Sequence, residues 1–205
     1  METTTSQSSV RGAFVTSYLA ALRPYAILSA GLFSIGAVAG IIALAWLPEA
    51  ATGVEDSVAQ FVQVAQGLGP AGLFVFIVVN NVVKAAVMMG LGLVFGLVPI
   101  FFLVSNGIVL SVAAALIAQQ AGVWATIGGL LPHGVIEVPA VLLAAAVGLR
   151  LGALTIERLR RPDTKVKAEI VKAWRFFVAL VLPALIVAAL IETFVTPVIL
   201  TIIRG

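Results

Sequence analysis

The pattern of apolar and polar positions divides the chain into long apolar runs separated by short polar or glycine-rich breaks. A membrane-spanning helix needs about 20 apolar residues, and the runs predict five such helices. We place them at residues 25–47, 70–89, 99–119, 123–149 and 176–203. Pro132 and Pro139 are expected to kink the fourth helix, because proline cannot donate a backbone hydrogen bond. The predicted fold is an all-α, polytopic membrane helical bundle.

A glycine-rich segment at residues 90–99 separates the second predicted helix from the third. It contains Gly90, Gly92 and Gly96 and closes with Pro99. Glycine at this density followed by proline is typical of a turn or of irregular backbone buried in protein. The segment is therefore predicted to form a tight turn or a short re-entrant piece.

Two further segments have the pattern of amphipathic helices at a membrane interface. In residues 52–68 the apolar positions that recur at helical spacing are Val54, Val58, Phe61, Val62 and Leu68. In the basic segment 150–175, Pro162 predicts a helix start, and one apolar face is formed by Val166, Ile170, Val171 and Trp174. Residues 1–23 are predicted to be a disordered cytoplasmic tail, and residues 24–205 a single transmembrane domain.

Composition supports a membrane protein and excludes several other classes. The 205 residues are 61% hydrophobic and 10% charged, whereas soluble domains carry about 25% charged residues. A pI near 9.7 could indicate a nucleic-acid partner. However, eight of the twelve Lys and Arg lie within residues 150–175, beside a predicted crossing. The absence of cysteine excludes disulfides and thiolate metal sites.

The distribution of basic residues also predicts the orientation of the chain. Arg11 and Arg23 precede the first crossing, and the basic segment precedes the fifth. Five crossings put both on one side, which the positive-inside rule makes the cytoplasm. We expect a cell-membrane protein with a cytoplasmic N-terminus and an external C-terminus, embedded in lipid and bound to no nucleic acid.

Several polar side chains fall within the predicted crossings, where an ionisable group costs about 2.5–3.5 kcal/mol. We expect them to face the bundle interior and to neutralise one another. His133 and Glu137 share a helix face because they are four residues apart. The predicted ligand or ion site consists of His133, Glu137, Glu192, Asn80, Asn81, Lys84 and Asn106.

The chemistry of this site admits three interpretations. We favour a metal-free structural network of charges and hydrogen bonds, without a cofactor. The alternative is a divalent metal such as zinc held by His133, Glu137 and Glu192, since His with two carboxylates is an acceptable ligand set. An intramembrane hydrolase fits less well. The chain has one histidine, which excludes the H-E-x-x-H motif, and neither Ser105 nor Ser111 lies in a G-x-S-x-G motif. No catalytic residue is predicted.

Three pairs of glycines spaced four residues apart would allow close approach of helices. The pairs are Gly36 with Gly40, Gly92 with Gly96, and Gly148 with Gly152. They favour a homo-oligomer, and a dimer is the simplest form.

Five short blocks of the chain resemble the stage II sporulation protein M family. The blocks are Asn80-Asn81, residues 90–99, Ser105-Asn106-Gly107, residues 132–137 and residues 191–197. The Pro-His-Gly-x-Ile-Glu block at 132–137 is the most specific. The resemblance implies a multi-pass membrane protein with five crossings, and it brings no known catalytic residues. In spore-forming bacteria the family member helps to scaffold a peptidoglycan-degrading complex, and relatives occur in archaea and other organisms that do not sporulate.

The resemblance and the polar residues lead to two functional predictions. The first is a non-enzymatic scaffold or membrane- and envelope-remodelling partner that binds other membrane or envelope proteins. The second is a transporter or channel subunit that uses His133, Glu137 and Glu192 as an ion, proton or metal site.

Overall fold

A computed structural model describes residues 2–47, 49, 52–54, 56, 59–60, 63–64 and 67–204. The predicted surface helix at 52–68 lies largely outside these residues. The first four long helices are α1 (Glu2–Trp46), α2 (Pro70–Gly90), α3 (Leu97–Ala121) and α4 (Val123–Arg160), with a short 3-10 helix (Leu91–Leu93) after α2. The chain then continues through α5 (Val166–Phe176), π1 (Phe177–Val181), α6 (Leu182–Leu190), π2 (Ile191–Val195) and α7 (Thr196–Arg204).

The described part of the chain is almost entirely helical and contains no strand. Five helices are long and apolar enough to cross a membrane, and the fifth of these spans is the continuous run 166–203. Both the all-α class and the number of crossings are therefore confirmed. All five spans exceed the roughly 20 residues that a bilayer requires, so their ends can extend beyond the hydrocarbon layer.

Helix α1 begins far earlier than the apolar pattern predicted. Residues 12–23, which we expected in a disordered tail, continue the helix without interruption. Tyr18 and Leu22 are buried there against the rest of the bundle, and Phe14 packs beside them. The prediction was wrong because Arg23 and Pro24 interrupt the apolar run and suggest a boundary, whereas the helix continues through Pro24.

The glycine-rich segment forms a tight turn between α2 and α3. A tight turn was one of the two alternatives predicted for it. The turn passes through left-handed backbone at Phe95 (φ 53°) and Gly96 (φ 75°). Positive φ is uncommon for a residue other than glycine. Gly96 lies against Leu149 and Gly152 of α4, so the turn is held directly on the bundle.

The spaced glycines all pack inside the single chain. A Cβ on Gly36 would collide with the backbone of Val104, and one on Gly40 would meet Ser111. Gly92 lies against the backbone of Gly148 in the same way, and Gly152 lies against Gly96. These glycines bring α1 close to α3 and bring the α2–α3 turn close to α4. The motifs therefore provide no free surface for a second copy, and they do not support a dimer.

Helix α4 is the central helix of the bundle, and it contacts every other described long helix. Its middle is lined with small residues, and the whole stretch 144–149 is buried. The helix continues through Pro132 and Pro139 without interruption and ends at Arg160. It is therefore eleven residues longer than the predicted crossing, which ended at Leu149.

The basic segment 150–175 is not a separate interfacial helix, which corrects the sequence prediction. Its first part completes α4, a short turn follows, and its last part is the start of the fifth span. Of the predicted apolar face, Val166 is buried and Ile170 packs on the core, whereas Val171 and Trp174 are exposed. The buried face of α5 is instead formed by Val166, Glu169, Ala173 and Phe176.

Candidate functional site

Three of the predicted site residues converge inside the bundle. His133 and Glu137 lie one turn apart on α4, and Glu192 reaches them from π2. One imidazole nitrogen and one oxygen from each carboxylate all lie within 4.8 Å of one another. All three side chains are half-buried, so they remain accessible to a small ligand. We call these three residues the polar triad.

Glu137 also faces a second group of polar residues on α2 and α3. Its carboxylate lies close enough to the side chains of Asn81 and Lys84 to interact with both. With Asn106 these residues line a narrow cavity of about 80 Å³. The carboxylate of Glu137 therefore joins the triad to the cavity.

The remaining predicted site residues occupy more peripheral positions. Lys84 is exposed, although it borders the cavity. Asn106 donates a hydrogen bond to the backbone carbonyl of Phe102 at 2.7 Å, within its own helix. Asn80 donates to the side-chain oxygen of Asn81 at 3.2 Å and so positions a neighbour of Glu137. These asparagines stabilise the surroundings of the triad and do not touch its centre.

A cleft leads from one end of the bundle to the triad. It has a volume of about 430 Å³ and reaches His133, Glu192 and Thr196. Its other end is lined by residues near the termini of four helices, namely Leu73, Ala121, Ala125 and Leu200. These helix ends lie on the side of the bundle opposite Arg150, and we call this cleft the end cleft.

The backbone around Glu192 departs from regular α-helix. Residues Ile191–Val195 form a single π-helical turn, and two residues later comes Pro197. Proline cannot donate to the carbonyl of Thr193 four residues before it, so the helix relaxes into a wider turn. The earlier π turn, π1, likewise ends two residues before a proline, Pro183. Such turns are frequent at functional sites.

A second ionic cluster was not predicted from the sequence. At the opposite end of the bundle, Arg150 of α4 forms an ion pair with the buried Glu169 of α5 at 2.6 Å. The same guanidinium donates to the backbone carbonyl of Ala21 at 3.0 Å and lies over the ring of Tyr18. We call these residues the basic-end clamp, because they fasten α1, α4 and α5 together.

A signal for the clamp is nevertheless present in the sequence. Glu169 is an acidic residue within a basic segment, and its helical neighbours Val166, Ala173 and Phe176 are apolar. An acidic residue on the apolar face of a helix must find a partner when that face packs. The contact with Ala21 also places the start of α1 and the basic segment at one end of the bundle, as the count of five crossings required.

The fold and its interior residues define a class, namely a polytopic α-helical membrane protein with five spans and a polar site between the last two. The chain belongs to the stage II sporulation protein M family, whose family model matches residues 29–197. This match confirms the resemblance drawn from the short motifs, and it covers the triad, Arg150 and Glu169. No curated protein and no solved structure matches the chain.

Proposed function

We propose that this chain is a non-enzymatic scaffold of the cell membrane that binds the transmembrane helix of another membrane or envelope protein. The observation that supports this proposal is a ridge on the N-terminal half of α4. Its exposed side chains are Trp124, Ile127, Leu131 and Val135. Their spacing of three or four residues places them on one face of the helix.

An apolar groove lies along each side of this ridge. The first groove, of about 620 Å³, lies between the ridge and Leu110 and Ala114 of α3. The second, of about 500 Å³, lies between the ridge and Ile199 and Ile203 of α7. Association of helices in lipid depends on close van der Waals packing. A ridge between two grooves offers more such packing to a partner helix than a smooth helix surface does.

The identity of the partner helix separates two forms of the scaffold. The helix can belong to another membrane or envelope protein, which is the form we favour. It can also belong to a second copy of this chain, which would give the dimer expected from the sequence. Because the spaced glycines are occupied within the chain, we propose that a dimer would use the α4 ridge in their place.

Crosslinking from the ridge tests the scaffold proposal. A photo-crosslinking amino acid would be placed at Leu131 or at Ile35, which are similarly exposed apolar positions on α4 and α1. We expect discrete adducts in intact membranes from position 131 and not from position 35, with the partner identified by mass spectrometry. An adduct of doubled mass would identify the dimer. Equal, diffuse labelling from both positions would contradict the proposal, because it would indicate lipid contact alone.

The proposed orientation places the basic end in the cytoplasm and the C-terminus outside. It is supported by the contact that joins Arg150 to Ala21 and by the positive-inside rule. The chain has no cysteine, so Lys165→Cys and Asp56→Cys give single thiols at the two sides. An impermeant thiol reagent on intact cells should label position 56 and spare position 165. The reverse labelling would overturn the orientation.

One observation, the end cleft, favours a second candidate function. This function is that of an ion transporter or channel subunit. The cleft offers one side of the membrane access to the triad. Beyond the triad, Met88 and Met89 are buried and Gly92 lies against Gly148, so transport would require these helices to separate. Flux of protons or cations into liposomes that contain the purified protein, and its loss in Glu192→Gln, would favour this function. We expect no flux from the scaffold.

A further inference from the structure

The polar triad has an unbalanced charge. Glu137 and Glu192 lie close enough to interact unfavourably. The nearest cation that acts on them is Lys84, and it is coupled to Glu137, across the small cavity. Among the described residues, none donates a hydrogen bond to Glu192 or forms an ion pair with it. Two carboxylates therefore share a single cation, and Glu192 is the one left without compensation.

The imidazole of His133 has a matching deficiency. Its Nδ1 atom is buried and has no hydrogen-bond partner among the described residues. A buried polar atom without a partner is destabilising. One cation placed between the imidazole and the carboxylates would bind the unprotonated ring nitrogen of His133 and would neutralise Glu192.

The distances within the triad suit a small cation. Zinc binds nitrogen and oxygen ligands at about 2.0–2.2 Å, so neighbouring ligands lie roughly 3–3.5 Å apart in a tetrahedral site. The donor atoms lie within 4.8 Å of one another, so binding requires the three side chains to draw closer together. An imidazole in the donor set favours a divalent transition metal over magnesium or calcium, which prefer oxygen ligands.

The end cleft gives an ion a route to the triad. The end cleft brings solvent to His133 and Glu192, and the hydroxyl of Thr196 borders the same space. That hydroxyl donates to the carbonyl of Ile191 at 3.3 Å, so its own lone pairs remain available to a water molecule. A metal site with three protein ligands keeps an open position for water, and the end cleft borders the triad.

We propose that His133, Glu137 and Glu192 bind one divalent transition-metal ion, with zinc as the best match, and that the ion enters through the end cleft. The bound ion joins α4 to π2. This inference goes beyond both candidate functions, because the ion would connect these two helices whether the chain acts as a scaffold or conducts.

Metal titration of the whole protein tests the site. The full chain, purified in detergent and stripped with a chelator, would be titrated with zinc chloride and, separately, with magnesium chloride. We expect saturable zinc binding at one ion per chain together with a higher melting temperature, and no comparable effect of magnesium. Absence of saturable zinc binding to the folded wild-type protein would overturn the proposal.

Two variants and a control locate the ion. His133→Ala and Glu192→Gln should each abolish saturable binding, whereas Ser105→Ala, within α3 and outside both cavities, should bind as the wild type does. Melting curves of the stripped proteins establish that each variant is folded. Zinc binding that survives in folded forms of both site variants would place the ion elsewhere and refute the assignment. Crosslinking from Leu131 is scored separately, so failure of the metal site and failure of the scaffold give different results.

Discussion

The polar triad and the basic-end clamp are both clusters of charge between the same two spans, yet they are built differently. In the clamp, Arg150 and Glu169 pair at 2.6 Å, and the side chain of Glu169 is only 7% exposed. In the triad, two carboxylates lie together, all members are half-buried, and a cleft reaches them. The carboxylate of Glu169 is paired with Arg150 and, at 3.7 Å, with Lys172, so it has no uncompensated charge left to bind a ligand. A cluster with unbalanced charge that a cleft reaches still has donor atoms available to bind a ligand.

The backbone makes the same distinction. Glu169 lies in regular α-helix, on a face whose neighbours are packed against the bundle. Glu192 lies in the π turn that precedes Pro197, and such turns are frequent at functional sites. Burial of charge alone therefore does not identify a functional site. Charge balance, access and backbone geometry together separate the two clusters.

Removal of one partner from the clamp should produce the largest loss of stability. Glu169→Gln leaves the half-buried Arg150 without its counter-charge and also removes the ion pair with Lys172 at 3.7 Å. Breaking a buried ion pair costs about 3–5 kcal/mol. The matched control is Glu157→Gln, because Glu157 and Arg161 form an exposed pair at 3.6 Å. Exposed pairs contribute about 0–1 kcal/mol. Chemical unfolding in detergent measures both variants. A loss for Glu169→Gln no larger than that of its control would show that the clamp is not structural.

The glycine contact that separates the two clusters should give the next largest effect. A Cβ on Gly148 would lie 2.7 Å from the ring of Pro99 and 2.8 Å from the carbonyl of Met88. Gly148→Ala therefore forces α4 away from its neighbours, and overpacking of this kind costs about 1–3 kcal/mol. Gly134 of the same helix has open space around it. Gly134→Ala should preserve or raise the melting temperature, and equal losses in both variants would contradict the close contact.

Much of the fold followed from the sequence because lipid allows few solutions. Apolar runs of sufficient length predicted the five crossings, and the glycine-rich segment predicted the turn that ends in Gly96. The start of α1 was missed because Tyr18 and Leu22 are buried by contacts with distant residues. The interfacial helix at 150–175 was wrong for a similar reason. Composition does not distinguish a basic helix that lies on the membrane surface from basic residues that lengthen the ends of two membrane-spanning helices.

The sequence predicted which residues form the site but not how they are arranged. The spacing of His133 and Glu137 puts them on one helix face, and the cost of an isolated charge predicted that Glu192 would join them. The exposure of Lys84 and the π turn at Glu192 depend on how the helices are rotated, which spacing alone does not determine. The clamp was overlooked because a lone acidic residue among basic ones is usually a solvated surface charge.

A double-mutant cycle would measure how strongly the α2 lysine supports the triad. Lys84→Met, Glu137→Gln and the double variant should show a coupling of about 0.5–1.5 kcal/mol, as polar contacts between membrane helices do. The coupling should be smaller than that of Arg150 with Glu169, since Lys84 is exposed and acts across a cavity. Melting in detergent provides the values. Strictly additive losses would mean that the two residues do not interact.

The smallest effect is expected for Glu192→Gln in chelator-stripped protein, and it provides the most direct comparison with Glu169→Gln. Both changes replace a carboxylate by an amide of the same shape. Glu169 loses its pairing with Arg150 and Lys172. Among the described residues, the one charged neighbour that acts on Glu192 is Glu137, so Glu192→Gln gains relief from repulsion. We expect the unfolding free energy of Glu192→Gln to stay within about 0.5 kcal/mol of the wild type. Added zinc should raise the melting temperature of the wild-type protein only. A loss as large as that of Glu169→Gln would place Glu192 in a structural network, because only a partnered carboxylate contributes that much to stability.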